Sequence, residues 1–296
     1  NHNLFHWTHG YLYDQNDARF DGILYGKSGY LNFWFYLARM VAYFGLWIYF
    51  FYLLRREAFA EDIHGGVIHY HKLIKFSAIF IIFFAITSSM SAWDWVLSID
   101  PHWFSTMFGW YVFASWFVSG LAAITLVVVL LKDAGYLPIV NSNHLHDLGK
   151  FIFAFSIFWT YIWFSQFMLI YYANIPEESI YYIERLTNDL YSPIFFVNLL
   201  LNFLFPFLVL MTRDAKRHTI FLKIVCVVVL IGHWTDFYLM ITPGVMGLDG
   251  ALGFLEIGFA IIYGAAFVYT VLNGLSKAPL VAKNHPMLQE SLHHHI

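Results

Sequence analysis

The chain has 296 residues, of which 60% are apolar, 21% aromatic and only 12% charged, and its mean hydropathy is +0.61. A soluble domain carries roughly 25% charged residues, so this composition excludes a water-facing surface of ordinary size and marks an integral membrane protein, while a net charge of −3 gives no sign of a nucleic-acid partner. The single cysteine, Cys226, excludes an intrachain disulfide, a CxxCH haem attachment and a cysteine-ligated iron–sulfur cluster within this chain.

Residues 1–29 are polar, aromatic and mixed in charge, and are expected to form a segment outside the membrane. His2, His6 and His9 share helical spacing, but without cysteines or paired carboxylates they are read as surface residues rather than metal ligands. Seven apolar runs follow, at 30–54 (A), 70–98 (B), 103–131 (C), 149–173 (D), 191–212 (E), 219–241 (F) and 250–275 (G). Each is near or above the ~20 residues that span a bilayer as a helix. The runs are continuous rather than alternating over about ten residues, which excludes barrel strands. Residues 276–296 form a polar tail that includes His293, His294 and His295.

Lys and Arg set the expected orientation. The A–B, C–D and E–F connections and the tail hold twelve basic residues, against Arg19, Lys27 and Arg185 on the other side. The positive-inside rule places the tail in the cytoplasm and residues 1–29 outside. Trp93, Trp95, Trp103, Tyr171, Tyr172, Trp234 and Tyr238 then form an aromatic belt at the outer helix ends.

Runs B and F end alike. Asp94-Trp95-Val96-Leu97-Ser98-Ile99-Asp100-Pro101 returns 142 positions later as Asp236-Phe237-Tyr238-Leu239-Met240-Ile241-Thr242-Pro243. Each copy reads as a helix end bearing a carboxylate, a turn, and a new helix opened by Asp100 or Thr242 as cap and proline at its first position. The offset of four helices predicts a parallel duplication: two four-helix bundles, the first (30–131, A–C) lacking a helix expected upstream of Asn1, the second (149–275, D–G) complete.

Polar groups inside the spans are costly and point to function or to structural pairing. They are Arg39, Asp94, Gln166, Asn198, Asn202, His233, Asp236 and Glu256, and all are expected in the outer half of the membrane or, for Asn202, near its middle. His233 and Asp236 are three apart, and Asn198 and Asn202 four apart, so each pair shares a helix face. A proton relay through Asp236, His233 and Glu256 is one expectation, with Asp94 holding only a turn. Pairing of Arg39 with Glu256 or Asp236 is another. Run G lacks the lysine of a retinal protein, and His233 has no second histidine at its depth to bind a b-type haem. No catalytic constellation and no metal site is evident.

Three segments carry a family likeness. His6-Trp7-Thr8-His9, the Ser91-Ala92-Trp93-Asp94-Trp95 helix end with Asp100-Pro101, and Asp147-Leu148-Gly149-Lys150 before run D resemble the quinone-binding, NrfD-like membrane subunits of alternative complex III, a bacterial quinol:cytochrome c oxidoreductase. The likeness extends over the whole chain and is nearer to the second of that complex's two NrfD-like subunits. It implies about ten helices, of which these would be the last seven, in the bacterial cytoplasmic (inner) membrane. It also implies partners: another NrfD-like subunit, an iron–sulfur subunit, c-type haem subunits and small membrane subunits. No cofactor would be bound by this chain itself, haem c and iron–sulfur clusters would sit in those partners, and menaquinone or its quinol is the candidate ligand. The implied role is a non-redox scaffold offering a proton half-channel or a quinone pocket. An independent secondary transporter with an outward-facing cavity is the alternative, although many transporters use inverted repeats and broken helices.

Overall fold

The computed structural model describes residues 4–294. His2 and His295 lie outside them. The described residues form helices and turns, in the order α1 (Gly22–Lys27), α2 (Phe33–His64), α3 (Ile68–Trp95), α4 (Phe108–Asp133), α5 (Ser142–Ala173), α6 (Pro176–Thr187), α7 (Tyr191–Leu199), α8 (Phe205–Val209), α9 (Thr219–Met246), α10 (Phe254–Leu275) and α11 (Leu288–Leu292). With α7 and α8 joined through a π-helical turn at Leu200–Leu204, seven helices are long and apolar enough to cross a membrane. The chain is therefore an all-α, multi-pass membrane protein.

Local chemistry explains several helix starts. Asp21 accepts from the Ile23 and Leu24 amides to begin α1, and Asn32 accepts from Phe35 to begin α2. Asn141 and His144 cap α5 reciprocally. Each side chain satisfies an amide that has no partner inside its own helix.

The two prolines of the repeated motif do not open helices. Pro101 lies in a turn and α4 begins only at Phe108. Pro243 lies inside α9, which continues to Met246, so Thr242 is not a cap. Proline lacks the amide that would bond the carbonyl four residues back, here Leu239. A buried arginine from outside the helix supplies the missing donor: Arg185 Nε lies 2.9 Å from Leu239 O. Pro206 acts differently. It denies Asn202 O its helical partner, and the turn before it widens so that Phe205 N–H reaches back to Leu200 O.

Packing draws α4 away from a simple partnership with α2 and α3. Its most extensive contacts are with α9 and α5, and α9 also packs on α7, whereas α2 packs chiefly on α3. The central bundle is thus α4, α5, α7–α8 and α9. Its interior follows single helix faces: Tyr111, Ser115, Val118, Ala122, Thr125 and Val129 of α4, and Gly149, Ile152, Ser156, Trp159, Trp163 and Gln166 of α5. No residue of α10 is buried.

Loops meet at two ends. At one, Lys27 Nζ donates to Pro101 O at 2.6 Å, His102 and Asp21 lie 2.5 Å apart, and Trp103 Nε1 donates to Glu178 O at 2.9 Å. The segment before α2 has its own small core of Trp7, Leu12, Leu24 and Leu31. At the basic end, the tail is docked. Asp62 Oδ1 accepts from the Lys283 amide at 2.6 Å, and His294 lies 2.7 Å from Asp147. Gly149 makes room there for the Lys216 stem, which a Cβ would meet at 2.9 Å. Lys216 Nζ in turn donates to Leu210 O at 2.6 Å.

Candidate functional site

Asp94 and Asp236 are both 0% exposed, and their surroundings differ in kind. Asp94 is one residue from the end of α3. Arg39 Nε donates to its Oδ2 at 2.8 Å and Arg39 Nη2 to its Oδ1 at 2.7 Å, a bidentate pair. Tyr43 adds a hydroxyl donor at 2.8 Å. The remaining guanidinium nitrogen, Nη1, donates to Tyr30 O at 3.0 Å, and the cation sits 3.9 Å from the Tyr30 ring centroid. Burial, and Asp94 beside it, push the Tyr30 hydroxyl up to about 12. Arg39 is therefore paired with neither Glu256 nor Asp236. The α2–α3 hairpin brings Asp94 to it directly, and α2 packs chiefly on α3. Nor does Asp94 merely hold a turn: it neutralises a buried arginine.

Asp236 stands ten residues before the end of α9, about 15 Å along the axis. Four groups that can donate surround it, and none is cationic. Tyr111 Oη and Asn198 Nδ2 (2.9 Å) reach Oδ1; Ser115 Oγ (2.6 Å) and Trp159 Nε1 (3.0 Å) reach Oδ2. The donors come from α4, α5 and α7, so the site exists only when the central bundle is assembled. An ionised carboxylate is purely an acceptor, and the indole and the amide nitrogen are purely donors. The cage therefore fits the anion without neutralising it.

Among the described residues, the only ion-pair neighbour within 4.0 Å of Asp236 is His233, whose Nδ1 is 3.8 Å from Oδ2. That is beyond hydrogen-bond reach. His233 is 2% exposed, stands edge-on to Trp159, and neither ring nitrogen has a hydrogen-bond partner among the described residues. Below it, Asn202 Nδ2 donates to Asn198 Oδ1 at 2.5 Å, and Asn202 Oδ1 is buried without a partner. Gly232 permits this approach: a Cβ there would strike Asn202 Oδ1 and lie 2.9 Å from Leu201 Cβ. The π-turn ahead of Pro206 and the missing Cβ of Gly232 together seat the asparagine pair under the carboxylate.

The eight sequence candidates thus divide. Asp236, His233, Asn198 and Asn202 are gathered; Arg39 and Asp94 form a separate pair. Gln166 is buried nearer the helix ends, donating to Tyr182 Oη at 3.2 Å and accepting from Ser105 Oγ at 3.4 Å. Glu256 accepts from the Gly253 amide at 2.8 Å and caps α10, so it does not continue the His233–Asp236 pair. Sequence reasoning missed Tyr111, Ser115 and Trp159. The spacing of Tyr111 and Ser115, four apart in run C, was the available signal. Sequence reasoning counted Arg185 only among the few basic residues of one side, and the structure shows it to be buried, 4% exposed.

One sizeable concavity lies near Asp94. It has a volume of about 420 Å³ and is lined by Lys27, Tyr30, Trp93, Leu97, Trp103 and Phe104 among others, largely apolar with a few polar groups. No group of three or more potential metal ligands is assembled among the described residues. No protein-family model matches the chain, and a search of curated proteins finds no match to it.

Proposed function

We propose that this chain is a non-redox membrane subunit of a bacterial quinol:cytochrome c oxidoreductase of the alternative complex III type, seated in the cytoplasmic membrane with its basic end inward. In this reading it is a scaffold that also carries a protonatable group, Asp236. One observation carries the functional half: a carboxylate buried at membrane depth, held by four neutral donors and faced by an unpartnered histidine. The buried carboxylate of Asp94, kept for structure, has a cation. One without a cation is the type that gains and loses a proton when its surroundings change. Support for the subunit role comes from the three likeness segments and from α10, which presents an apolar helix with no buried residue.

The concavity by Trp93 and Trp103 supports a quinone pocket as a second reading, because its size and aromatic walls suit a flat, apolar ligand. Neither reading requires a cofactor held by this chain; haem c and iron–sulfur clusters would belong to partners. The test is purification of the tagged chain from native membranes. The proposal expects haem-absorbing, cytochrome c-reducing partners in stoichiometric yield. A chain that purifies alone, stable and without haem, supports the independent transporter and contradicts the subunit role.

A further inference from the structure

Arg185 is a second buried cation, and its environment is unlike that of Arg39. Its guanidinium bonds carbonyls only: Leu239 O at 2.9 Å, Tyr181 O at 2.7 Å and Met240 O at 3.4 Å. The Tyr181 ring lies 3.3 Å beneath it. No carboxylate stands within 4.0 Å of it among the described residues, although Asp100 lines the same small cleft. Two of the three carbonyls belong to α9 within four residues of Asp236, and Leu239 O is the one that Pro243 leaves without a helical donor. Burying an arginine without a matching anion is costly. A seat made of a proline-freed carbonyl, one turn from an uncompensated carboxylate, gives that cost a purpose.

We propose that Arg185 is a positioning residue for the proton site: the Pro243 notch fixes its charge on α9 one turn past Asp236, from where it favours the anionic form of the carboxylate until a proton arrives. This rests on Asp236 being the protonatable group. Arg185 meets α9 at Leu239 and Met240, three and four residues past Asp236; the titratable groups around Asp236 are Tyr111 from α4, Tyr181 and Tyr182 from α6, and His233 on its own helix, with Asp100 beside Arg185 in the cleft. Trp159 of α5 and Asn198 of α7 face Asp236 without titrating. Of this set, only Arg185 is a permanent cation.

The experiment follows the infrared band of protonated carboxyl groups against pH in the purified, assembled protein, with the Asp236 contribution identified by its loss in Asp236→Asn. In Arg185→Gln the half-intensity point should move at least one pH unit upward, a tenfold gain in proton affinity. Pro243→Ala keeps the arginine but returns an amide to Leu239 O, and should move it the same way by less. Arg185→Lys, which keeps the charge, should stay nearer the parent than Arg185→Gln does. A parent-like midpoint in Arg185→Gln, or a shift confined to the Asp100 band, overturns the proposal while leaving the proton site standing. If no band in parent or variants is lost with Asp236→Asn, the proton-site reading falls, and this one with it.

Discussion

Asp94 and Asp236 open the same sequence motif, are equally buried, and have opposite electrostatics. Asp94 has a guanidinium on both oxygens; Asp236 has two hydroxyls, an indole and an amide. The first arrangement cancels charge. The second solvates charge without cancelling it. A shared motif therefore marks where a carboxylate sits, and the helices packed around it decide what it does. Asp94 meets α2, which packs chiefly on α3; Asp236 of α9 meets the other three members of the central bundle.

The comparison breaks most visibly at Arg39. Arg39→Met strands a buried carboxylate and should cost about 3–5 kcal/mol, read as a lower midpoint of thermal unfolding in detergent. Replacing the pair together, Arg39→Met with Asp94→Leu, should recover most of that loss. If the single variant melts like the parent, Asp94 is not the charge-paired member of the two. Next in size is Gly232→Ala, whose new methyl meets Asn202 and Leu201. Overpacking of this kind costs about 1–3 kcal/mol, and the Asn202–Asn198 bond should be displaced with it. A high-resolution structure of that variant showing the bond intact, or an unchanged melting midpoint, would remove the glycine from the account.

Smaller effects lie at the end opposite the basic loops. Gln166→Leu removes one 3.2 Å and one 3.4 Å hydrogen bond and should change stability by only about 1 kcal/mol; a collapse of the protein would show that Gln166 belongs to the Asp236 network after all. The Asp21–His102 contact gives a pH test. Burial raises the Asp21 carboxyl, but the His102 contact and the Leu24 and Ile23 amides outweigh it and leave it below the ordinary carboxylate range. A depressed carboxylate stabilises the fold above its unfolded pKa, and that contribution is lost as pH falls through its folded one. Hydrogen exchange of residues 21–24 should therefore rise below about pH 4, and less so in Asp21→Asn.

The seven spans were legible because length and apolarity alone set them. Helix ends were less so. Pro243 reads as a helix opener, and only a buried arginine on a separate helix explains why α9 runs through it. The partner of Arg39 was misread for a related reason: depth in the membrane gives a shortlist of acids, but not which helix is adjacent. The donors to Asp236 went unseen because Tyr111, Ser115 and Trp159 pass for core or belt residues until a carboxylate is found among them. By contrast, Asn198, Asn202, His233 and Asp236 could be named in advance, since intramembrane amides, imidazoles and acids are rare enough to stand out.

The most direct measurement is turnover per assembled complex in Asp236→Asn and Asp94→Asn, purified side by side. The account predicts that Asp236→Asn assembles in normal yield and loses at least tenfold in proton-coupled turnover. Asp94→Asn should assemble poorly, with whatever complex survives turning over at the parental rate. Normal turnover in an assembled Asp236→Asn complex, with the loss appearing in Asp94→Asn instead, would contradict it.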